Sequence, residues 1–147
     1  MSRIPVLVFI YGSLIAFVWE IFQMPFFDPA GLTPQQQTMR CGIASLGDGL
    51  ILLTAYGLAR LNGGARWPWR RETAPFLVFF GFGLLVAVAV EIVATSLPQP
   101  SFLSWRYSSL MPTLPVVGLA VIPLAMWTIV PVLTLGLLRL GEKPGTQ

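Results

Sequence analysis

The chain has 147 residues, of which 55% are hydrophobic and only 10% are charged, and its mean hydropathy is +0.76. This composition excludes an ordinary soluble domain and is typical of a membrane protein. The formal net charge of +3 does not favour nucleic-acid binding, because no soluble segment offers a basic face with interleaved aromatic side chains.

Four apolar runs are long enough to cross a bilayer, which takes about 20 helical residues at about 1.5 Å each. They cover residues 4–24, 42–61, 75–97 and 115–140. We therefore predict an all-α fold, a four-helix transmembrane bundle in which residues 1–147 form a single domain. The first run is not expected to be a signal peptide, because Trp19 and Gln23 occupy the place where a cleavage site needs small residues.

The connections carry capping and anchoring signals. Thr33 followed by Pro34 is the pattern of a helix cap and a first helical residue, and it predicts a short interfacial helix between the first two spans. Arginine alternates with Trp67 and Trp69 in the next connection, as in a segment that anchors to a membrane interface.

Proline recurs in the last predicted span. Pro123 and Pro131 should each remove a backbone hydrogen bond and bend the helix, since proline has no N–H to donate. At Pro123 the carbonyl expected to lose its partner is that of Leu119. A bent helix can border a cavity.

Basic residues are distributed unevenly among the connections. The N-terminus, the second connection and the C-terminus hold seven of the nine, namely Arg3, Arg60, Arg66, Arg70, Arg71, Arg139 and Lys143. The positive-inside rule therefore predicts that both termini lie in the cytoplasm.

Three acidic residues fall inside the predicted spans, where a charged group costs a few kcal/mol or more and indicates a functional site. With both termini inside, Glu20, Asp48 and Glu91 each lie roughly 6–9 Å below the outer interface. Taken alone, Glu20 could extend to the headgroups and Asp48 could serve packing. Together they predict one site built by three helices, with Glu91 at its centre.

Further side chains are predicted to bind a substrate beside these acids. Gln23 follows Glu20 by three residues and shares its helix face. Arg40 precedes the second span and Arg106 lies in the last outer connection, so either arginine could fold over the acids. The predicted binding residues are Trp19, Gln23, Arg40, Trp105, Arg106, Tyr107 and Trp127.

Residue types that build cofactor sites are nearly absent. The chain has one cysteine, Cys41, and no histidine, so an internal disulfide is impossible and the usual zinc and haem sites are not expected. Calcium or magnesium accepts carboxylate ligands, but the nearby arginines would compete for the same charge. We expect no metal and no cofactor.

The segments 19–25 (WEIFQMP) and 105–115 (WRYSSLMPTLP), with Gly47, Asp48 and Trp127, resemble a family of small four-helix inner-membrane proteins of bacteria. The resemblance spans most of the chain and implies a multi-pass inner-membrane location, but it brings no known activity. More loosely, acids and aromatic residues in a short helical bundle are similar to membrane sterol isomerases and to carotenoid cyclases and hydratases. Those enzymes protonate a double bond of an isoprenoid.

Three functions fit these features. The one we favour is an intramembrane enzyme that takes a lipid or another hydrophobic small molecule from the outer leaflet, with Glu91 as the neutral acid. The second is a proton- or cation-coupled transporter or channel, although the inner halves of the spans offer no polar relay. The third is an accessory subunit that pairs with another membrane protein through small residues such as Ser45 and Gly49. A homo-oligomer is compatible with all three.

Overall fold

The computed structural model describes residues 3–70, 72–98, 104–115 and 118–141. Within these ranges the chain is all-helical and forms no β-strand, only two isolated bridges. The α-helices are α1 (Ile4–Gln23), α2 (Pro34–Gly63), α3 (Thr73–Ser96) and α4 (Val121–Gly141), with single turns of 3-10 helix at Met24–Phe26 and Trp67–Trp69. Each α-helix is long and apolar enough to span a membrane.

The four helices form a ring in which α1 and α3 each pack against both α2 and α4. Small residues bring α1 and α2 close together: a Cβ atom added at Gly12 would lie 2.7 Å from Leu52, and one added at Gly49 would lie 3.2 Å from the Phe9 ring. The small residues of α2, which the sequence suggested as a surface for a partner protein, therefore include Gly49 in a contact with α1 of the same chain.

The second helix begins at Pro34 and not at residue 42. The amide of Gln36 donates to the Thr33 hydroxyl at 3.3 Å, and the amide of Thr33 donates to the Gln36 side chain at 2.9 Å. This reciprocal pair is a capping box, which satisfies backbone donors that a helix start leaves without partners. The predicted short interfacial helix is thus the first part of α2.

The fourth helix begins at Val121 rather than at residue 115. Pro123 consequently lies in the first turn, where its missing N–H breaks no helical hydrogen bond, and the prediction that it would free the Leu119 carbonyl is wrong. That carbonyl accepts a hydrogen bond from the Leu114 amide at 2.9 Å. In the described part of α4, Pro131 is the one proline inside the helix.

One end of the bundle, here called the closed end, is filled by aromatic side chains. Trp67 is fully buried, and its ring centroid lies 5.8 Å from that of Tyr56, 5.2 Å from Phe76 and 5.3 Å from Phe79. The interpretation of Trp67 as an interfacial anchor is therefore wrong, since its side chain packs in the core between α2 and α3.

Candidate functional site

At the end opposite Trp67, all four helices border a cavity of about 470 Å³, here called the acidic cavity. Its volume is in the range of pockets that hold a drug-sized ligand. Most of its wall is apolar and includes Ile43, Ala44 and Ile51 of α2, Ala87 and Val90 of α3, and Met126 of α4. The cavity is thus suited to a hydrophobic molecule.

Four of the six acidic residues of the chain line this apolar cavity. Glu20 comes from α1, Asp48 from α2 and Glu91 from α3, while Asp28 comes from the connection between α1 and α2. The structure therefore brings together the three acids that the topology placed at one depth. Arg40 is the one basic side chain among the described residues of the wall.

Glu20 is the electrostatic neighbour of both Glu91 and Asp48. The Gln23 side chain lies against Glu20, and its Oε1 accepts a hydrogen bond from the Trp19 indole at 3.1 Å. This arrangement leaves the Gln23 amide nitrogen to donate to Glu20. Trp19 therefore orients Gln23 and does not itself line the cavity.

One carboxylate oxygen of Asp48 has no hydrogen-bond donor among the described residues. Its Oδ2 oxygen is buried from solvent and accepts no hydrogen bond from any described residue. A buried carboxylate oxygen that lacks a donor is costly, so this atom of the cavity wall is available to accept a hydrogen bond from a bound molecule.

Glu91 is 5% exposed, and its Oε1 accepts a hydrogen bond from the hydroxyl of Tyr107. Burial raises the pKa of Tyr107, and the bond to Glu91 raises this pKa further, so the phenol remains a proton donor. The Trp105 indole N–H lies near the same carboxyl group without reaching hydrogen-bonding geometry. Glu91 is thus oriented by a side chain from outside the helices.

Two connections pack together beside the cavity and hold Tyr107 in place. Phe27 and Tyr107 form an isolated antiparallel bridge, and their ring centroids lie 6.0 Å apart. The Ser108 hydroxyl donates to the Pro25 carbonyl at 2.9 Å, and the Asp28 amide donates to the Arg106 carbonyl, also at 2.9 Å. The segments around Phe27 and Tyr107 form one cap.

Of the two arginines predicted to lie near the acids, Arg40 lines the cavity and Arg106 does not. Arg40 Nη2 donates to the Ser104 carbonyl at 2.8 Å, so it is tied to the last connection, and Arg106 is exposed and does not line the cavity. Within the described ranges no arginine forms an ion pair with the three carboxylates. The ion pair that does form there joins Arg70 to Glu72 at 3.3 Å.

The predicted site residues therefore divide into three groups. Those that line the cavity are Glu20, Gln23, Arg40, Asp48, Glu91, Trp105 and Trp127. Trp19 and Tyr107 act one step away, through hydrogen bonds to Gln23 and Glu91. Arg106 lies outside the cavity wall and contributes a backbone carbonyl to the cap.

Several wall residues were not predicted, including Asp28, Gln37 and Cys41. Gln37 and Cys41 were missed because α2 was expected to begin after them. The capping pattern of Thr33 and Gln36 marked the true start and could have found them. Asp28 lies in a turn and belongs to no helical pattern, so no periodicity identifies it.

No family model, curated protein or solved structure matches this chain. The resemblance to small bacterial inner-membrane proteins therefore stays a prediction. A function has to be argued from the chemistry of the acidic cavity.

Proposed function

We propose that the chain is a multi-pass enzyme of the bacterial inner membrane, which shifts a double bond of a lipid or isoprenoid by carboxylate acid/base chemistry. Both termini lie in the cytoplasm in this proposal, so the acidic cavity faces the outer leaflet. The observation that carries the proposal is the convergence of Glu20, Asp48 and Glu91 on one largely apolar cavity.

Within the described residues the three acids form no ion pair. This supports a catalytic role for them over a purely structural one. Acids that stabilise a membrane bundle are expected to pair with a basic side chain or with backbone. Here three of them share a cavity, and an oxygen of Asp48 has no donor in the part of the chain that the structure describes. Groups placed in this way can exchange protons with a bound molecule.

In the proposed step, a neutral Glu91 transfers its proton to one carbon of a double bond. The π electron pair forms the new C–H bond and leaves a carbocation at the neighbouring carbon. The carboxylate of Glu20 or Asp48 then removes a proton from an adjacent carbon, and the released electron pair closes the shifted double bond. Return of this proton to Glu91 completes the cycle.

Two tryptophans and Tyr107 assist the same step. Trp105 and Trp127 line the cavity, and the faces of such rings stabilise a developing positive charge. Because Tyr107 occupies Oε1 of Glu91 as a donor, the transferable proton is assigned to Oε2.

The closed end disfavours a channel. Trp67, Tyr56 and Phe79 are at most 1% exposed and fill the half of the bundle that a transported ion would have to cross. The polar atoms of these rings, Tyr56 Oη and Trp67 Nε1, have no hydrogen-bond partner among the described residues, so they form no connected relay for a proton or hydrated cation.

Deuterium transfer to carbon tests the proposal even before the substrate is identified. Purified protein is incubated in D2O with vesicles made from the total lipid extract of the cell that produces it, and the lipids are examined by mass spectrometry. We expect one class of lipid or isoprenoid to gain deuterium at carbon, since a proton returned from a carboxyl group then carries the label.

Glu91→Gln should abolish this labelling, whereas Glu72→Gln, at an exposed ion pair near the opposite end, should leave it unchanged. The proposal is wrong if the folded wild-type protein labels no lipid above the level of empty vesicles, or if Glu91→Gln labels as well as the wild type.

A further inference from the structure

We infer that the acidic cavity binds a lipophilic organic cation, with the positive centre among Glu20, Asp48 and Glu91 and the apolar part against α2 and α3. This inference deepens the proposed function and rests on it, because a stable ammonium group resembles the carbocation of the proposed step. It adds a class of ligand that the cavity should hold in the absence of turnover.

The first argument is the balance of charge. The chain as a whole carries a net charge of +3, yet four of its six acidic residues line this one cavity. Arg40 is the one described basic residue of the wall, and its guanidinium is directed to the Ser104 carbonyl. Glu91 is neutral in the proposed step, and the carboxylate of Glu20 or Asp48 then attracts a positive charge strongly, because the site has a low dielectric constant. A cavity of this composition therefore favours a cationic guest.

The second argument is independent of the charge count. Asp48 Oδ2 lies in the wall, is buried from solvent, and accepts no hydrogen bond from the described residues. A cationic group beside this oxygen would supply the missing partner.

The spacing of the acids favours an organic cation over a metal ion. Within the described ranges no three acidic, cysteine or histidine side chains lie close enough together to hold a metal ion. A substituted ammonium has a larger radius and a more diffuse charge, so it does not need ligands at metal-bond distances. Trp105 and Trp127 add aromatic faces of the kind that recognise quaternary ammonium groups.

The cavity also has an apolar side for the remainder of the ligand. Ile43 of α2 and Val90 of α3 line it and are 45% and 44% exposed. These side chains therefore border both the cavity and the lipid-facing surface of the bundle. Gly47, also in this wall, has open space where a Cβ atom would stand, which leaves a gap through which a hydrophobic chain can reach the acids.

The probe for this inference is octyltrimethylammonium, whose charge is fixed at every pH. Radiolabelled probe is dialysed to equilibrium against the protein in lipid nanodiscs, and binding to empty nanodiscs is subtracted. We expect saturable binding that the uncharged isostere, with carbon in place of nitrogen, fails to displace. Asp48→Asn should weaken binding about tenfold or more, because it removes one charge from a poorly solvated site.

Two matched pairs of variants separate the site from general effects on the bundle. Glu72→Gln, the control for Asp48→Asn, should bind like the wild type. Gly47→Phe should block binding by filling the gap, whereas Gly57→Phe should not, since Gly57 lies on the same helix with open space around it and outside the cavity.

Three results would overturn the inference: no saturable binding to the folded wild-type protein, equal displacement by the uncharged isostere, or equal affinity in Asp48→Asn. Deuterium labelling of lipid distinguishes these failures from failure of the enzyme proposal. Labelling without cation binding overturns the ligand class alone, while cation binding without labelling supports the site and overturns the reaction.

Discussion

The two ends of the bundle differ in how the space between the four helices is filled. At the closed end, Trp67 is fully buried against its aromatic neighbours, and Arg139 joins α4 to the second connection through a 2.6 Å hydrogen bond to the Pro68 carbonyl. At the other end the helices leave a cavity of about 470 Å³ lined by acids. The same four helices therefore combine a tightly packed half with a half that holds a cavity lined by acids.

This difference indicates where stability and function reside. Tight aromatic packing stabilises the folded protein through dispersion and the burial of apolar surface. Buried acids and an open cavity destabilise it, because polar groups lose water and contacts between atoms are missing. A molecule that keeps the costly arrangement at one end must stabilise itself at the other. Substitutions at matched positions of the two ends should consequently change the free energy of unfolding by different amounts, and at two glycines with opposite signs.

The largest effect is expected from Trp67→Ala at the closed end. Trp67 is fully buried, so its loss should lower the free energy of unfolding by about 3–5 kcal/mol. Trp105→Ala, at the half-buried tryptophan of the cavity, should cost less than half as much. Both values are measurable as unfolding free energies in mixed detergent micelles. Equal costs at the two tryptophans would contradict the division into a packed end and a hollow end.

A smaller effect, with opposite signs at the two ends, is expected from alanine at two glycines of α2. A Cβ atom at Gly63 would clash with Pro75 Cγ and would lie 2.7 Å from Trp67 Cβ. Neither atom can move aside easily, so Gly63→Ala should destabilise by about 1–3 kcal/mol.

Gly47→Ala is the matched substitution in the cavity wall. No atom lies within 4 Å of its added Cβ, and alanine restricts the unfolded chain, so it should stabilise the protein by about 0.5–1 kcal/mol. The same unfolding experiment compares the two variants. Destabilisation by Gly47→Ala would mean that the wall is packed and that the cavity is not open there.

The convergence of the acids could be predicted because it depends on regular geometry. A helix rises by a fixed length per residue, so the positions of Glu20, Asp48 and Glu91 along three alternating helices place them at one depth. The aromatic closed end was missed because Trp67 lies in a connection, where a pattern of arginine and tryptophan does not distinguish an exposed anchor from a core residue.

The contacts of the cap could not be predicted for a related reason. Tyr107 reaches Glu91 because it is paired with Phe27 across two connections that are remote in sequence, and no local periodicity encodes such a pairing. The start of α2 is a different case. Its polar first turn hid the helix from a search for apolar runs, although Thr33 and Gln36 carried the capping signal.

The smallest effect on stability, and the most specific one, is expected from Tyr107→Phe. The ring remains packed on Phe27, so only the hydroxyl is lost and the free energy of unfolding should fall by about 1 kcal/mol. The infrared C=O stretch of the protonated Glu91 carboxyl, assigned as the band that Glu91→Gln removes, should move to higher wavenumber in Tyr107→Phe. This shift is expected because the carbonyl oxygen loses its donor, and a purely structural role for Tyr107 would not produce it. An unchanged band would mean that Tyr107 does not orient Glu91, and the assignment of the transferable proton to Oε2 would have to be abandoned.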